Sequence, residues 1–236
     1  GWGNLGGGVT QFVMPLLFSV FVVGFGFSEA IGWRLSMVVV GVIIFLIGIG
    51  YYFLTQDAPD GNFDDLRAKI TSPTVKAAVD LFFADDEFRV RFERTPGAVN
   101  GHHSQLGGLL LHVFEVTKIA KTIATTVRKA NADLAVAGAM LHDIGKVEAY
   151  STSPEGFAHT PTGMLLGHVT LGALMFDRKL RDSGLALSVA QRDELLHFIL
   201  SHHGALEFGS PVQPMTVEAE IVHWADEATL DLLDHL

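Results

Sequence analysis

Residues 35–54 read LSMVVVGVIIFLIGIGYYFL, twenty positions without one charged side chain. At ~1.5 Å per residue an α-helix of that length spans about 30 Å, the depth of a bilayer's hydrocarbon core. A helix apolar on every side has no face to give to water, so such a stretch is buried in protein or in lipid. Residues 9–27 form a second uncharged apolar run, and Glu29 and Arg34 are the only charged side chains in the first 56 positions. Trp33 precedes the longer run and Tyr51 and Tyr52 close it, where aromatic rings anchor helices in the membrane interface. A secretion signal would open with a basic segment, and residues 1–11 hold no Lys or Arg. The expectation is a two-helix transmembrane hairpin over residues 1–56, with spans at 9–27 and 35–54, a connection at 28–34, and the lipid bilayer as partner.

The rest of the chain is chemically different. The breaker-rich QDAPDGNF at 56–63 marks a boundary, and a linker is expected over 57–65. From residue 58 onward there are 24 Asp+Glu and 15 Lys+Arg, a net charge of −9. That acidity argues against sequence-independent duplex binding, which needs a Lys/Arg surface. The absence of Cys excludes disulfides, thiolate zinc sites, iron–sulfur clusters and a Cys nucleophile. All eleven histidines lie at or after His102.

The spacing of apolar residues predicts helices over 63–70, 72–83, 85–95, 108–129, 132–142, 167–183, 188–202 and 216–233. Almost no sheet is expected, with at most a short hairpin in the loop 151–162. Ser72 is a candidate N-cap before Pro73. Leu81, Phe82 and Phe83 begin a Phe-rich apolar face that Phe88, Val90 and Phe92 continue. Arg89, Arg91 and Arg94 are read as a solvated helix face. The histidines fall at helix ends: His142 and Asp143 close AMLHDIGK, His168 opens LLGHVTLG, His202 and His203 close FILSHHG. His112 lies within GGLLLHVFEV and Asp226 within IVHWADEA. Mixed imidazole and carboxylate ligands suit Mn²⁺, Fe²⁺, Zn²⁺ or, less well, Mg²⁺.

The series His112…His142-Asp143…Asp226 resembles the HD-domain superfamily of metal-dependent phosphohydrolases. The closer likeness is to the catalytic domain of the YhaM-type 3′–5′ exoribonucleases. It rests on PGAVNGHHSQLGGLLLH (96–112), AVAGAMLHDIGK (135–146), FAHTPTGMLLGHVTLG (157–172) and ILSHHGALEFGSPVQPMTVEAEIVHWAD (199–226), and it covers 66–231. The resemblance implies an all-α, HD-domain helical bundle at 66–236, preceded by the transmembrane hairpin. His112, His142, Asp143 and Asp226 would form a first metal site. Asp143 would bridge to a second, held by His168 and His202 with His203 as alternative or neighbour. Two divalent ions are implied, Mn²⁺ favoured. Asp143 and Lys146 would carry the chemistry, with Lys146 contacting substrate phosphate and no protein nucleophile required. His102 and His103, before a Gly-rich turn, are candidate substrate contacts, a structural cap being the alternative. Glu207, Gly209, Ser210 and Pro211 are expected to loop over the site, with Ser210 a candidate substrate contact. His223 shares a helix face with Asp226, and a buried, satisfied His is the simpler reading for it. His159, His197 and His235 are read as loop, surface or packing residues.

The function implied is a membrane-anchored phosphodiesterase acting on single-stranded RNA or short oligonucleotides, 3′–5′ exoribonuclease-like. An alternative is a nucleotide or cyclic-nucleotide phosphohydrolase. Another is a non-catalytic HD module in a membrane assembly, or a homo-oligomer. Where the exoribonuclease family carries an OB-type module ahead of its HD domain, this sequence has the apolar hairpin. Nucleic-acid and nucleotide substrates place the HD domain on the cytoplasmic side of an inner or cell membrane.

Overall fold

The structure is a computed structural model, and it describes residues 13–54, 62–101 and 103–234. The chain divides into two compact units, Gly1–Pro59 and Asp60–Leu236.

In the first unit, helix α1 (Val13–Gly24) ends in a wide π-turn at Val20–Gly24. The Phe25 N–H bonds to the Val20 carbonyl and the Phe27 N–H to the Phe21 carbonyl, each at 3.1 Å. Gly26, at φ +72°, turns the chain back with no Cβ to oppose it. Helix α2 (Glu29–Leu54) then begins at an acidic residue, which the positive end of the helix dipole favours. The connection is therefore shorter than the expected 28–34, and Trp33 and Arg34 are helical. Gly32 lets α2 approach α1, since a Cβ there would lie 2.5 Å from the Val22 side chain. Trp33 stacks on Phe18 with ring centroids 4.5 Å apart.

Among the described residues one helix is long and apolar enough to cross a membrane, Glu29–Gly50, with mean hydropathy 2.3 and 11% of its window buried. The described part of α1 spans about 18 Å at ~1.5 Å per residue, less than a crossing. Residues 9–12 of the expected first span, the linker positions 57–61 and the side chains of Tyr51 and Tyr52 lie outside the described residues. The described residues hold one candidate span and a shorter apolar helix packed near its start.

The second unit is helical. Its elements are α3 (Phe63–Ala68), α4 (Pro73–Phe83), α5 (Asp86–Phe92), α6 (Gly108–Thr126), α7 (Ala132–Leu141) and the one-turn α8 (Lys146–Ala149). Strands β1 (Tyr150–Ser153) and β2 (Gly156–His159) follow, then α9 (Pro161–Ser183), α10 (Val189–Ser201), a 3₁₀ turn (Leu206–Phe208) and α11 (Val217–Asp234). The strands pair antiparallel with Tyr150 opposite His159, the short hairpin allowed for in the loop 151–162.

Helix α7 is the hub, packing on α4, α6, α10 and α11. Every residue of its AVAGAML run, 135–141, is buried, as a helix apolar on all sides requires. Its small residues allow close neighbours: a Cβ on Gly138 would sit 2.7 Å from the Phe198 ring of α10 and 3.1 Å from Val222 of α11. Asn131 caps α7 by accepting the Asp133 and Leu134 N–H groups at 3.0 and 3.3 Å. Ser72 does occupy the N-cap of α4, but its side chain makes no capping bond. The Asp133 carboxylate supplies the tie instead, accepting the Thr71 and Ser72 N–H groups at 3.0 and 2.7 Å.

The Phe-rich face forms a core layer in which Phe83 meets Phe63 and Phe92 edge-on, and Phe82 meets Phe88 edge-on. Val90 departs from it and is 52% exposed, because the i, i+4 spacing of Phe88 and Phe92 turns position 90 outward. Arg91 and Arg94 are exposed, in keeping with a solvated face, and Arg89 is half-buried. Arg89 makes a two-pronged bond to Asp64, and Arg91 donates to the Val147 carbonyl at 3.1 Å.

Candidate metal centre

Helix ends and two helix faces bring the histidines, the acids and the lysine together. His112 lies on the buried face of α6, and His142 caps α7 with Asp143 next in the turn. Lys146 opens α8. His202 caps α10, His203 follows it, and Asp226 faces inward from α11. His168 comes just after Gly167, whose φ of +71° and ψ of 155° break α9 into two helical segments. The expected helix start at 167 coincides with this kink, and a preceding turn from Pro161 joins it. Gly145 admits the contact that places His168, since a Cβ there would lie 1.9 Å from the His168 carbonyl oxygen and 2.4 Å from the Gly172 nitrogen.

The side chains form two groups. His112, His142 and Asp226 present ligand atoms all within 4.8 Å of one another, and His168, His202 and His203 do the same. Asp143 stands between them. Its Oδ2 lies 3.2 Å from the Nε2 atoms of both His112 and His142. Its Oδ1 lies 3.4 Å from His168 Nε2 and 3.6 Å from His202 Nε2.

Hydrogen bonds on the far side of the rings fix which nitrogen points inward. His142 Nδ1 donates to the Ala139 carbonyl at 2.7 Å and His202 Nδ1 to the Ile199 carbonyl at 2.9 Å. Thr229 Oγ1 donates to the Asp226 carbonyl at 2.8 Å, so it accepts from His112 Nδ1 at 3.2 Å. With Nδ1 so engaged, each ring turns Nε2 to the centre, the arrangement that orients metal-binding imidazoles. Asp143 Oδ1 and His202 Nε2 are both buried without a hydrogen-bond partner. Two lone-pair atoms facing each other, each at a desolvation cost of about 1–3 kcal/mol, are what a cation between them would satisfy. The residues thus fit divalent metal ions, and their imidazole and carboxylate donors suit first-row transition ions.

Electrostatics keep the acids ionised. Burial would raise the Asp143 carboxyl, but the charges of Lys146 and His142 and the hydrogen bonds from His112 and His142 hold it well below the usual carboxylate range. Asp226 behaves alike, burial being outweighed by its hydrogen bond to His112 and by the surrounding imidazoles. Burial pushes His168 down to about 3 and His202 well below the ordinary imidazole value, so both are neutral ligands. Burial would lower Lys146 too, but Asp143, 2.5 Å from its Nζ, raises it, so the ammonium stays charged.

The remaining candidates are spread around this cluster. His102 lies outside the described residues, as does His235. His103 takes a left-handed φ of +57°, its ring centroid 5.4 Å from that of His112 and its Nε2 3.0 Å from Glu115. Ser210 is buried and turned inward, its Oγ accepting the His203 N–H at 3.0 Å, so it braces the turn after the His pair. His223 is half-buried and holds the His202 carbonyl through Nδ1 at 2.8 Å. His159 meets Tyr150 edge-on, and His197 Nε2 accepts the Met215 N–H at 2.9 Å. Sequence reasoning missed Thr229 and Glu115. Thr229 lies three residues beyond Asp226, the spacing that puts both on one face of α11. Thr229→Val should weaken metal binding about 10- to 100-fold, the usual effect of losing a group that orients a ligand. Titration calorimetry of the metal-stripped protein would read this, and unchanged affinity would refute the role.

Comparison with known proteins identifies the family. The HD domain pattern matches residues 109–230, just over half of the chain, and the chain belongs to the HD domain family. It is 35% identical over 156 residues to the 3′–5′ exoribonuclease YhaM of Bacillus subtilis (strain 168), covering 64% of this chain and 48% of that protein. It is 35% identical over 150 residues to the YhaM exoribonuclease of Geobacillus sp. (strain WCH70), covering 63% and 45%. It is 38% identical over 141 residues to that of Listeria monocytogenes serotype 4b (strain F2365), covering 59% and 44%. The chain thus spans about half the length of the curated relatives it matches. No solved structure matches.

Proposed function

We propose that this chain is a membrane-tethered, metal-dependent phosphodiesterase that hydrolyses single-stranded RNA or short oligonucleotides from the 3′ end. The observation that carries the reading is Asp143, one carboxylate facing two groups of histidines with Lys146 against it. Two divalent ions held there, Mn²⁺ favoured, would polarise a phosphate ester and activate water toward it. The chain's own residues supply the rest. Asp143 and Asp226 arrive ionised, and His112, His142, His168 and His202 turn their Nε2 atoms to the centre. His203 completes the outer group. Lys146 keeps a positive charge in a buried setting, where a fixed charge stabilises developing negative charge on phosphate oxygens most strongly. His168 and His203, with side chains 19% and 20% exposed, lie at the opening through which a substrate would reach the cluster. The similarity to proteins named 3′–5′ exoribonucleases favours RNA over other phosphate esters. The apolar helix Glu29–Gly50 supports the tether, and a nucleic-acid substrate favours a cytoplasmic HD unit at the cell membrane.

The test uses the full chain in detergent, stripped of metal and reloaded with Mn²⁺. It is offered end-labelled single-stranded RNA, single-stranded DNA, cyclic dinucleotides and nucleoside triphosphates. Stepwise shortening of RNA from its 3′ end is expected. Turnover of small nucleotides alone would overturn the substrate class, and no turnover with metal bound would overturn the enzyme. Retention in carbonate-washed membranes is expected of the tether, and release would refute it.

A further inference from the structure

Beside the metal cluster lies a cleft of about 440 Å³ whose wall includes His203, Phe208, Gln213, Glu220, Trp224 and Glu227. It adjoins the centre directly, because His203 belongs both to the cleft wall and to the outer histidine group. Helix α11 serves the two on adjacent faces. Val222, Ala225, Asp226 and Thr229 point into the core, while Glu220, Trp224 and Glu227, at i, i+4 and i+7, point to the cleft. Trp224 is 61% exposed and Phe208 67%, large apolar rings left open to solvent next to a buried polar centre.

We propose that this cleft is the subsite for the base of the substrate's terminal nucleotide, with Trp224 and Phe208 as its stacking surfaces and Glu220 as the acceptor for base N–H groups. The inference rests on the phosphodiesterase reading and names how the substrate is held. Every base has a π-face, and aromatic side chains beside a reaction centre grip single strands by stacking. The alternative means of holding a strand, a basic groove along the phosphates, is at odds with a region of net charge −9. The carboxylates on the wall repel phosphate and accept N–H donors. Guanine offers two such donors on one edge, its N1–H and its exocyclic amine, whereas uracil offers a single imide N–H. The subsite therefore favours guanine over uracil, and the phosphate attached to a base held here reaches the metal cluster past His203.

Trp224 gives a readout independent of turnover. Only Trp2 and Trp33 accompany it in the chain, both in the other unit, so the fluorescence difference between the wild-type full chain and Trp224→Phe reports the cleft. In metal-free protein, guanosine 5′-monophosphate should quench that signal more strongly than uridine 5′-monophosphate, and ribose 5-phosphate should leave it unchanged. With Mn²⁺ bound, Phe208→Ala and Trp224→Ala should each raise the KM for RNA about tenfold or more, with kcat less affected. Equal responses to ribose 5-phosphate and to the nucleotides, or an unchanged KM in both variants, would overturn the subsite. If RNA is not hydrolysed at all, the phosphodiesterase reading fails by itself, while the quenching titration still decides whether the cleft takes a base.

Discussion

Asp143→Asn should abolish metal loading and lower RNA hydrolysis by on the order of 10³-fold or more. An amide keeps the shape of the side chain but offers one oxygen and one NH₂ where the carboxylate offers two oxygens. It can serve the His112–His142 side or the His168–His202 side, and not both. The substitution also strands the buried Lys146 ammonium, whose nearest partner is Asp143 Oδ2. Removing one member of such a pair costs about 3–5 kcal/mol, so the melting midpoint should fall. The double variant Asp143→Asn, Lys146→Met should regain much of that stability and stay inactive, since the stranded charge is gone and the bridge is still missing. Metal content by mass spectrometry, turnover and thermal unfolding measure the three effects separately. A variant that keeps two metals and turns over within tenfold of wild type would sink the proposed centre.

Lys146→Met should act with opposite signs on binding and on rate. The ammonium lies 2.5 Å from Asp143 Oδ2, an oxygen that a metal would also want. Removing it removes a competing cation, so metal should bind more tightly. Turnover should nonetheless drop about 10²- to 10³-fold, as when a preorganised charge-stabilising group is lost. The loss should fall mainly on kcat, because the group is invoked for charge that develops in the transition state. Loss of metal, or an unaffected kcat, would show that Lys146 is only a structural counter-ion.

Much of the helical unit was legible in advance because its helices are long, apolar on one face and punctuated by Gly, Pro and Ser. The AVAGAML run of α7 announced a buried helix, and the His-Asp residues at its end announced polar chemistry in an apolar place. What escaped depends on how elements meet. Gly26 sets the reversal point of the first unit, and only its backbone conformation shows that Glu29 and Trp33 are already helical. The roles of Thr229 and Ser210 follow from a neighbour's backbone or ring, and each looks like an ordinary hydroxyl residue in the sequence. Val90 illustrates the limit of pattern reading within one helix, where two phenylalanines four apart decide which side is in. The expected outer limits of α5 and α6 ran several residues past Phe92 and Thr126, because the chain leaves the helix while the composition still permits one.

His142 and His202 share one device. Each closes its helix, and each bonds through Nδ1 to the carbonyl three residues back, at Ala139 and Ile199. The ring that offers its lone pair to the centre is thereby the same ring that ties down the last turn of its helix. Fraying of either terminus would swing a ligand away, and holding the ligand would oppose fraying. Metal occupancy should therefore slow amide hydrogen exchange in the last turns of α7 and α10 more than in α3, which supplies no ligand. The helix ends become a register of whether the centre is filled.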